Sequence, residues 1–278
     1  MNIGIIGQGF VGNAVYNKFK MYYDVLTFDL DKTLCNSSFE DISYKCKYIF
    51  VCLPTPMNND GSCYSGIVEG LLIKLDMYSK EISQPKIVVI KSTIPPGTTK
   101  KWNDKFDNLN IVFNPEFLTE ANAIKDYENQ NRIILGGPTK ETLQLNSIFS
   151  KVFPTAKIIN TNSTDAEMVK YTTNSFLAMK VSFANEIYQI CNKVNADYDK
   201  VIEYTTDDDR LGTSHWKVPG PDGDFGFGGH CFPKDINALI QVALEKNISP
   251  KMLIAINEKN KEVRSNRDWE NMKGRAVV

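Results

Sequence analysis

A glycine-rich motif directly after a short apolar run constrains the fold of this chain more than any other feature. The run Ile3 to Ile6 is typical of a buried strand, and Gly7, Gly9 and Gly12 follow it in the pattern G-x-G-x-x-G. Apolar residues at helical spacing come next: Val11, Ala14, Val15 and Phe19. In such motifs the first glycine makes a tight turn, the second lets the backbone approach a pyrophosphate, and the third lets helix and strand pack closely. We therefore predict a strand, a phosphate-binding turn and a helix whose N-terminus faces the phosphates.

An acidic residue in the next apolar segment favours NAD as the ligand of this turn. Asp29 lies in the segment DVLTFDLD, close to the offset of about 20 residues at which an acid binds the adenosine ribose hydroxyls. A carboxylate at this place would repel a 2′-phosphate, so NAD is favoured over NADP. The residues expected to contact NAD here are Gly7, Gly9, Phe10, Val11, Gly12 and Asp29.

Further strand-like runs each end beside a polar residue. An apolar, strand-like run begins each of the segments KYIFVCLPTP, KIVVIKSTIPPGTT and NIVFNPEFLTEA, and Thr55, Thr93 and Glu116 lie just past these runs. Two further strand-like segments, RIILGG and KVFPTAKIIN, complete the series. Ligands of open α/β sheets bind outside the carboxyl ends of the strands, so these three side chains are expected along one rim. We predict a Rossmann-type doubly wound sheet over residues 1–161.

The residue pattern changes from strand-like runs to helical periodicity after this region. About 30 residues, from Asp165 to Asn195, contain neither glycine nor proline and carry apolar residues at helical intervals, which predicts one long helix. Lys170 and Asn174 are four residues apart and share a face of that helix. They are either functional or part of an ordinary solvated face. Two more helices follow a long loop rich in glycine and proline, the first beginning near Asp235 and the second extending to Met272. Residues 162–272 are therefore predicted to form an all-α central domain.

Composition excludes several classes of protein. The 278 residues carry a net charge of −1 without a basic block, so nucleic acid is not expected as a partner. No signal peptide and no membrane-spanning apolar stretch is recognisable. The six cysteines show no C-x-x-C spacing and there are only two histidines, so no metal site is expected. We expect reduced thiols and a cytoplasmic location.

Six stretches, in order, resemble the UDP-glucose/GDP-mannose dehydrogenase family and cover nearly the whole chain. They are Gly7 to Gly12, Lys91 to Thr98, Asn114 to Leu118, Lys170 with Asn174, Asp209 to Gly212, and Gly226 to Asp235. The last of them, GFGGHCFPKD, is the most specific. The resemblance implies oxidation of the C6 alcohol of a nucleotide sugar to a carboxylate in two steps, with NAD as the oxidant. A cysteine would capture the intermediate aldehyde as a thiohemiacetal, whose oxidation gives a thioester.

The resemblance also implies roles for individual residues. Cys231 would be the nucleophile, Lys170 with Asn174 would stabilise the oxyanion, and Glu116 would activate water for thioester hydrolysis. Asp235 and Thr93 would hold an ordered water. Further NAD contacts are expected from Thr55, Thr93 and Glu120, the last of which could also orient the substrate. The expected substrate-binding residues are Glu116, Phe117, Leu118, Lys170, Asn174, Arg210, Gly228 and Lys234.

The resemblance implies an assembly as well. Arg210 matches an arginine that reaches the substrate of a neighbouring subunit, so a homodimer through the long helix is expected. Full-length relatives carry a third domain that binds the nucleotide. Residues 273–278 resemble the first strand of that domain, with apolar residues that would have little to pair against, and a separate chain could supply the remainder.

Two other functions remain open from the sequence. A β-hydroxyacid dehydrogenase shares the two-domain plan and a lysine–asparagine pair, but it does not need Cys231. A non-catalytic NAD-binding remnant is the second alternative, although every catalytic position is filled.

Overall fold

The computed structural model describes residues 1–278, which form two compact units. The first unit comprises Met1–Thr55 and Ser65–Lys170, and the second comprises Pro56–Tyr64 and Tyr171–Val278. A short segment from the first half of the sequence therefore belongs to the second unit. The longest helix contributes its first turns to the first unit and the rest to the second.

A seven-stranded sheet organises the first unit. Its strands are β1 (Asn2–Ile6), β2 (Asp24–Phe28), β3 (Tyr48–Val51), β4 (Lys86–Ile90), β5 (Leu109–Phe113), β6 (Arg132–Gly136) and β7 (Lys157–Thr161). The strand order is β2-β1-β3-β4-β5-β6-β7. All neighbours are parallel except β5 and β6, which meet in an antiparallel pair between Phe113 and Gly136. Since the order reverses between β1 and β3, this is the switch point at which open α/β sheets bind ligands.

Helices cover both faces of this sheet. They are α1 (Phe10–Phe19), α2 (Phe39–Lys45), α3 (Gly66–Glu81), α4 (Thr98–Lys105), α5 (Ala123–Glu128) and α6 (Thr139–Val152). Ile5 and Phe50 pack in the core on one face, whereas Ile6 and Ile49 pack in the core on the other. Because both faces are buried, the strands read as continuous apolar runs rather than alternating ones. The predicted Rossmann-type fold is confirmed.

The second unit is helical, as predicted. It contains most of α7 (Ser163–Val194), together with α8 (Tyr198–Thr206), α9 (Phe232–Glu245) and α10 (Lys251–Val263). The 32-residue α7 confirms the long helix predicted from the absence of glycine and proline. None of the helices combines the length and the apolar composition that are needed to cross a lipid bilayer.

Helix α10 ends earlier than the sequence suggested. The last predicted helix extended to Met272, but the backbone becomes extended at Arg264 and resumes only as a short 3₁₀ helix, Asp268–Asn271. Arg264, the residue at which the helix ends, is buried and forms ion pairs with Asp222 and Asp268.

The last residues of the chain are not left without backbone partners, and that expectation is wrong. The Met57 N–H donates to the Ala276 carbonyl (2.8 Å), and the Val278 N–H donates to the Met57 carbonyl (3.0 Å). Ala276 is buried as a result. The assignment of residues 273–278 to a third domain stays a prediction.

A buried carboxylate stabilises the start of α4. Glu167, in the first turns of α7, accepts hydrogen bonds from the N–H groups of Gly97 (2.5 Å) and Thr99 (2.8 Å). Gly97 precedes α4 with φ +88°, and no side chain within α4 provides a cap. Burial raises the pKa of Glu167, while Thr99 and Gly97 act in the opposite direction. Glu167 therefore performs from another element the capping that a local side chain usually provides.

Replacing Glu167 with glutamine should destabilise the first unit. The amide offers one acceptor oxygen, so either the half-buried Gly97 N–H or the buried Thr99 N–H loses its partner, and the free energy of unfolding should fall by about 2 kcal/mol. Urea denaturation measures the change. Asp104→Asn is the matched control, because its ion pair with Lys100 on α4 is exposed and should contribute less than about 0.5 kcal/mol. Equal effects of the two substitutions would contradict the capping role.

Candidate functional site

The glycine turn has the geometry that its sequence predicts. Gly7 adopts φ +91°, which favours glycine. A Cβ atom on Gly12 would collide with the Gly7 carbonyl, so the third glycine is required by close packing. Nothing lies within 4 Å of a Cβ position on Gly9, which is the N-cap of α1 and provides no side-chain cap. The N-terminus of α1 thus presents backbone N–H groups at an open place, as anion binding requires.

Asp29 is joined to the glycine turn by hydrogen bonds. It directly follows β2, and its carboxylate accepts the N–H groups of Gln8 (2.6 Å) and Asp31 (3.0 Å). A carboxylate oxygen can accept more than one hydrogen bond, so Asp29 retains acceptor capacity for ribose hydroxyls. The turn, the helix N-terminus and this carboxylate form a set that fits a dinucleotide with an unphosphorylated 2′-hydroxyl.

Polar residues beyond β3, β4 and β5 contact one another, as predicted for one rim. The Thr55 hydroxyl donates to the Thr93 carbonyl (2.7 Å), and both residues are buried. Beside them, the Lys91 ammonium donates to the Asn114 side-chain oxygen (2.7 Å). Burial lowers the pKa of Lys91 to about 8, although the neighbouring Cys52 and Glu116 act to raise it.

Glu116 and Lys170 form a buried ion pair. The Lys170 Nζ lies 2.8 Å from Glu116 Oε1 and also donates to the Glu116 carbonyl (2.5 Å). The Leu118 N–H donates to Glu116 Oε2 (2.8 Å). Burial acts to raise the pKa of Glu116, but the charge and the hydrogen bond of Lys170, with the Leu118 N–H and the charge of Lys91, together outweigh it, so the pKa is lowered. Glu116 is therefore ionised at neutral pH. Because Lys170 and Asn174 are both buried, the interpretation of this pair as a solvated face is wrong.

In the second unit, Cys231 is the N-cap residue of α9. The helix begins at Phe232, three residues before the Asp235 start that the sequence suggested, and Pro233 occupies its first turn. Proline is well tolerated there because the N–H groups of the first turn have no partner within the helix. Cys231 is half-buried. The positive end of the helix dipole at a helix N-terminus stabilises the thiolate form of a cysteine.

Asp235 connects Lys234 with Asn174 in the same unit. It is buried, and its two carboxylate oxygens accept from Lys234 Nζ (2.5 Å) and Asn174 Nδ2 (2.6 Å). Burial acts to lower the pKa of Lys234, but the charge of Asp235, followed by the electrostatic influence of the nearby Cys231 and Cys63 side chains, reverses this and raises it. Lys234 therefore remains a cation near Cys231.

Comparison with known proteins identifies the family. The model of the NAD-binding domain of the UDP-glucose/GDP-mannose dehydrogenase family matches residues 32–156, and the model of the central domain of that family matches residues 164–262. The chain belongs to the UDP-glucose/GDP-mannose dehydrogenase family. The resemblance seen in its six sequence stretches is thereby confirmed.

Individual relatives agree with this assignment. The UDP-glucose 6-dehydrogenase TuaD of Bacillus subtilis is 34% identical over 223 residues, which are 78% of this chain and 46% of TuaD. A UDP-glucose dehydrogenase structure from Pyrobaculum islandicum superimposes with a TM-score of 0.86 at 25% identity, over 94% of this chain and 68% of that one. Mycobacterium tuberculosis 3-hydroxyisobutyrate dehydrogenase shares the fold, with a TM-score of 0.76 at 14% identity, over 96% of this chain and 94% of that one. The chain spans about half the length of the first curated relatives it matches.

Four more of the predicted site residues of this family member have the following surroundings. Arg210 is exposed and pairs with Asp208 (2.5 Å). Glu120 begins an exposed 3₁₀ turn, and Phe117 lies below the Arg132 guanidinium (4.7 Å). A Cβ atom on Gly228 would collide with Arg264 and Asp268, so this glycine is required by the packing of the chain itself.

Cys63 was not singled out from the sequence. It lies in the segment Pro56–Tyr64, which belongs to the second unit, and it is close enough to Lys234 to contribute to the raised pKa of that lysine. The sequence gives no local signal for this, because Cys63 follows an ordinary Asn-Asp-Gly turn far from Lys234 in the chain. The proximity depends on tertiary packing alone.

Asp235→Asn should destabilise the second unit in this family member. Asparagine keeps an oxygen for Asn174 but leaves the buried Lys234 cation without its counter-charge, which should cost about 3 kcal/mol. Chemical denaturation of the single variants and of Lys234→Gln/Asp235→Asn gives the coupling energy. The double variant should cost less than the sum of the singles.

The control for this cycle is Glu262→Gln. Its ion pair with Lys259 is on the surface, where the Glu262 side chain is 57% exposed, so its loss should cost less than about 1 kcal/mol. Additive effects of Lys234→Gln and Asp235→Asn would contradict a paired role for the two charges.

Proposed function

We propose that the chain is part of an NAD-dependent nucleotide-sugar dehydrogenase of the UDP-glucose 6-dehydrogenase type. It would oxidise a C6 alcohol to a carboxylate in two steps. Family membership and the names of the relatives support the substrate class. The observation that carries the proposal is the position of Cys231 at the N-terminus of α9, with the Lys234 cation nearby. Reduced cysteines throughout the chain are in keeping with a cytoplasmic location.

The glycine turn is proposed to bind NAD. Gly7, Gly9 and Gly12 would hold the pyrophosphate at the N-terminus of α1, and Asp29 would accept the ribose hydroxyls. Phe10 and Val11 lie in the first turn of α1, and Thr55, Thr93 and Glu120 are further proposed contacts. When bound, NAD supplies the hydride acceptor for both oxidations.

Cys231 explains how an alcohol can be oxidised twice. The first oxidation removes a hydride and a proton from the alcohol and leaves an aldehyde. The Cys231 sulfur then adds to the aldehyde carbon, and a proton goes to the oxygen, which gives a thiohemiacetal. This carbon again carries a hydride beside an oxygen, so a second oxidation leaves a thioester on Cys231. Water displaces the sulfur and yields the carboxylate.

The buried ion pairs suit the remaining steps. Glu116, ionised beside Lys170, can take a proton from the water that attacks the thioester. The Lys170 ammonium and the Asn174 amide are proposed to stabilise the oxyanion. Asp235 and Thr93 are proposed to hold an ordered water. The proposed substrate contacts are Glu116, Phe117, Leu118, Lys170, Asn174, Arg210, Gly228 and Lys234, while a separate chain that binds the nucleotide half stays a prediction.

The number of NADH molecules formed per sugar tests this function. With NAD and UDP-glucose, the wild type should form two NADH per sugar, because each oxidation releases one hydride. Cys231→Ser should lose the second, since the weaker nucleophile does not form the thioester. Cys191→Ser, a buried cysteine in α7 remote in sequence from the cysteine loop, is the control and should keep two.

The same assay distinguishes the alternatives. One NADH per small β-hydroxyacid, unaffected by Cys231→Ser, would identify a β-hydroxyacid dehydrogenase. NAD binding without turnover of either substrate would identify a non-catalytic NAD-binding protein.

Helix α7 is proposed to pair with a second copy of the chain. Phe176, Phe183 and Ile190 are each at least half exposed and recur every seven residues, and Val194 is also exposed. A seven-residue apolar repeat is the pattern by which two helices pack along their length. The exposed Arg210 would then be available to the substrate of the partner.

Phe183→Lys should therefore convert the homodimer to a monomer, because it places a charge in the middle of the apolar stripe. Sedimentation equilibrium measures the molecular mass. Met252→Lys is the control, since Met252 is 68% exposed on α10 and lies outside the stripe. An unchanged mass for Phe183→Lys, or a monomeric wild type, would contradict dimerisation through α7.

A further inference from the structure

The glycine-rich loop that precedes Cys231 is fixed by side chains from two helices. The Gly226 N–H donates to Asn185 Oδ1 of α7 (3.2 Å). Asn260 of α10 pairs with the backbone of Phe227 in both directions: its Oδ1 accepts the Phe227 N–H (2.7 Å), and its Nδ2 donates to the Phe227 carbonyl (2.9 Å). A Cβ atom on Gly226 would collide with Asn260 Oδ1. The glycine is therefore needed for this internal contact.

Arg264, four residues after Asn260, contacts the next part of the glycine-rich loop. It lies against Gly228, where a Cβ atom would collide with its guanidinium and with Asp268. Asp268 Oδ2 accepts the Gly229 N–H (3.0 Å), and Asp268 Oδ1 lies 3.3 Å from Arg264 Nη2. Gly229 is two residues before Cys231. The position at which the chain enters α9 is thus set by Asp268 and by the arginine that holds it.

Arg264 has an environment that a packing residue does not need. Its side chain is 2% exposed, and its guanidinium lies 2.9 Å from Asp222 and 3.8 Å from Asp224, in addition to Asp268. It also donates to the carbonyls of Asn266 (2.7 Å) and Phe225 (3.4 Å). The planar guanidinium carries five N–H donors in a fixed fork, so it can hold several such acceptors at once. Arg264 therefore contacts both ends of the loop from Asp222 to Gly229: it pairs with Asp222 directly, and it reaches Gly229 through Asp268.

We propose that Arg264, together with Asn260, is a positioning residue for Cys231. It fixes the cysteine loop so that the thiol stays at the N-terminus of α9 beside Lys234. This inference rests on the proposed function, because it assigns Arg264 to the nucleophile of that reaction. Neither residue acts on the substrate. A misplacement of about 1 Å is enough to reduce catalysis by about 10²-fold, so the nucleophile needs such a support.

Alkylation of Cys231 tests the proposal without substrate or NAD. The full chain is treated with iodoacetamide between pH 6 and pH 10 (about the accessible range for a thiol), and the Cys231 peptide is quantified by mass spectrometry. In Arg264→Gln the midpoint of the rate profile should move to higher pH by about half a unit, since the thiol loses its fixed place at the helix N-terminus. Arg264→Lys, which keeps the charge but not the fork of donors, should give an intermediate midpoint.

Two further variants keep the test decisive. Asp268→Ala removes the acceptor of the Gly229 N–H at a side chain that is 28% exposed, so it should fold, and it should shift the midpoint in the same direction. Arg267→Gln is the matched control, because Arg267 pairs with Glu270 near the surface and should leave the midpoint unchanged. Midpoints for folded Arg264→Gln or Asp268→Ala that equal the wild-type value would overturn the proposal. If the midpoints shift as expected but the wild-type chain oxidises no nucleotide sugar, only the proposed function is contradicted.

Discussion

The requirement that every buried charge has a partner governs this structure. Glu167, Lys170 and Asp235 are all buried, and each has polar partners: Glu167 accepts backbone N–H groups, Lys170 pairs with the Glu116 carboxylate, and Asp235 contacts Lys234 of its own helix and Asn174 of α7. Burying an unpaired charge costs several kcal/mol, a large part of the stability of a domain (about 5 to 15 kcal/mol), so these contacts cannot be exchanged freely. The fold therefore fixes the positions of these charged residues together with those of their partners.

The same requirement prepares these residues for chemistry. Lys170 keeps Glu116 ionised although burial alone would favour its neutral form, and a buried carboxylate that is ionised is able to accept a proton from water. Asp235 likewise keeps Lys234 cationic near Cys231. Interactions that stabilise the fold thus also set the charges that the proposed oxidation needs. The glycine loop follows the same logic, since its glycines admit the polar side chains that hold it.

Local patterns in the sequence predicted the Rossmann-type sheet, the glycine turn and the long α7, because strand burial, turn conformation and helix periodicity are local properties. Helix α9 begins three residues before its predicted start near Asp235, because its first turn contains a proline and shows no apolar periodicity. The contacts of Arg264 and the proximity of Cys63 to Lys234 were not predicted. The pairs Arg264–Asp222 and Cys63–Lys234 join residues far apart in the sequence, and neither the spacing of motifs nor the composition of the chain indicates such a contact.

The ionisation of Glu116 is the claim on which the account rests most directly. Carbon-13 NMR of selectively labelled glutamate carboxyl groups, with the Glu116 resonance assigned from its absence in Glu116→Gln, measures its pKa. Glu116 is expected to titrate below the usual glutamate value of about 4.3, because the charge and hydrogen bond of Lys170, together with the Leu118 N–H and the charge of Lys91, outweigh the effect of burial. A pKa at or above that value would contradict the account, since Glu116 would then be held by burial rather than by its ion pair.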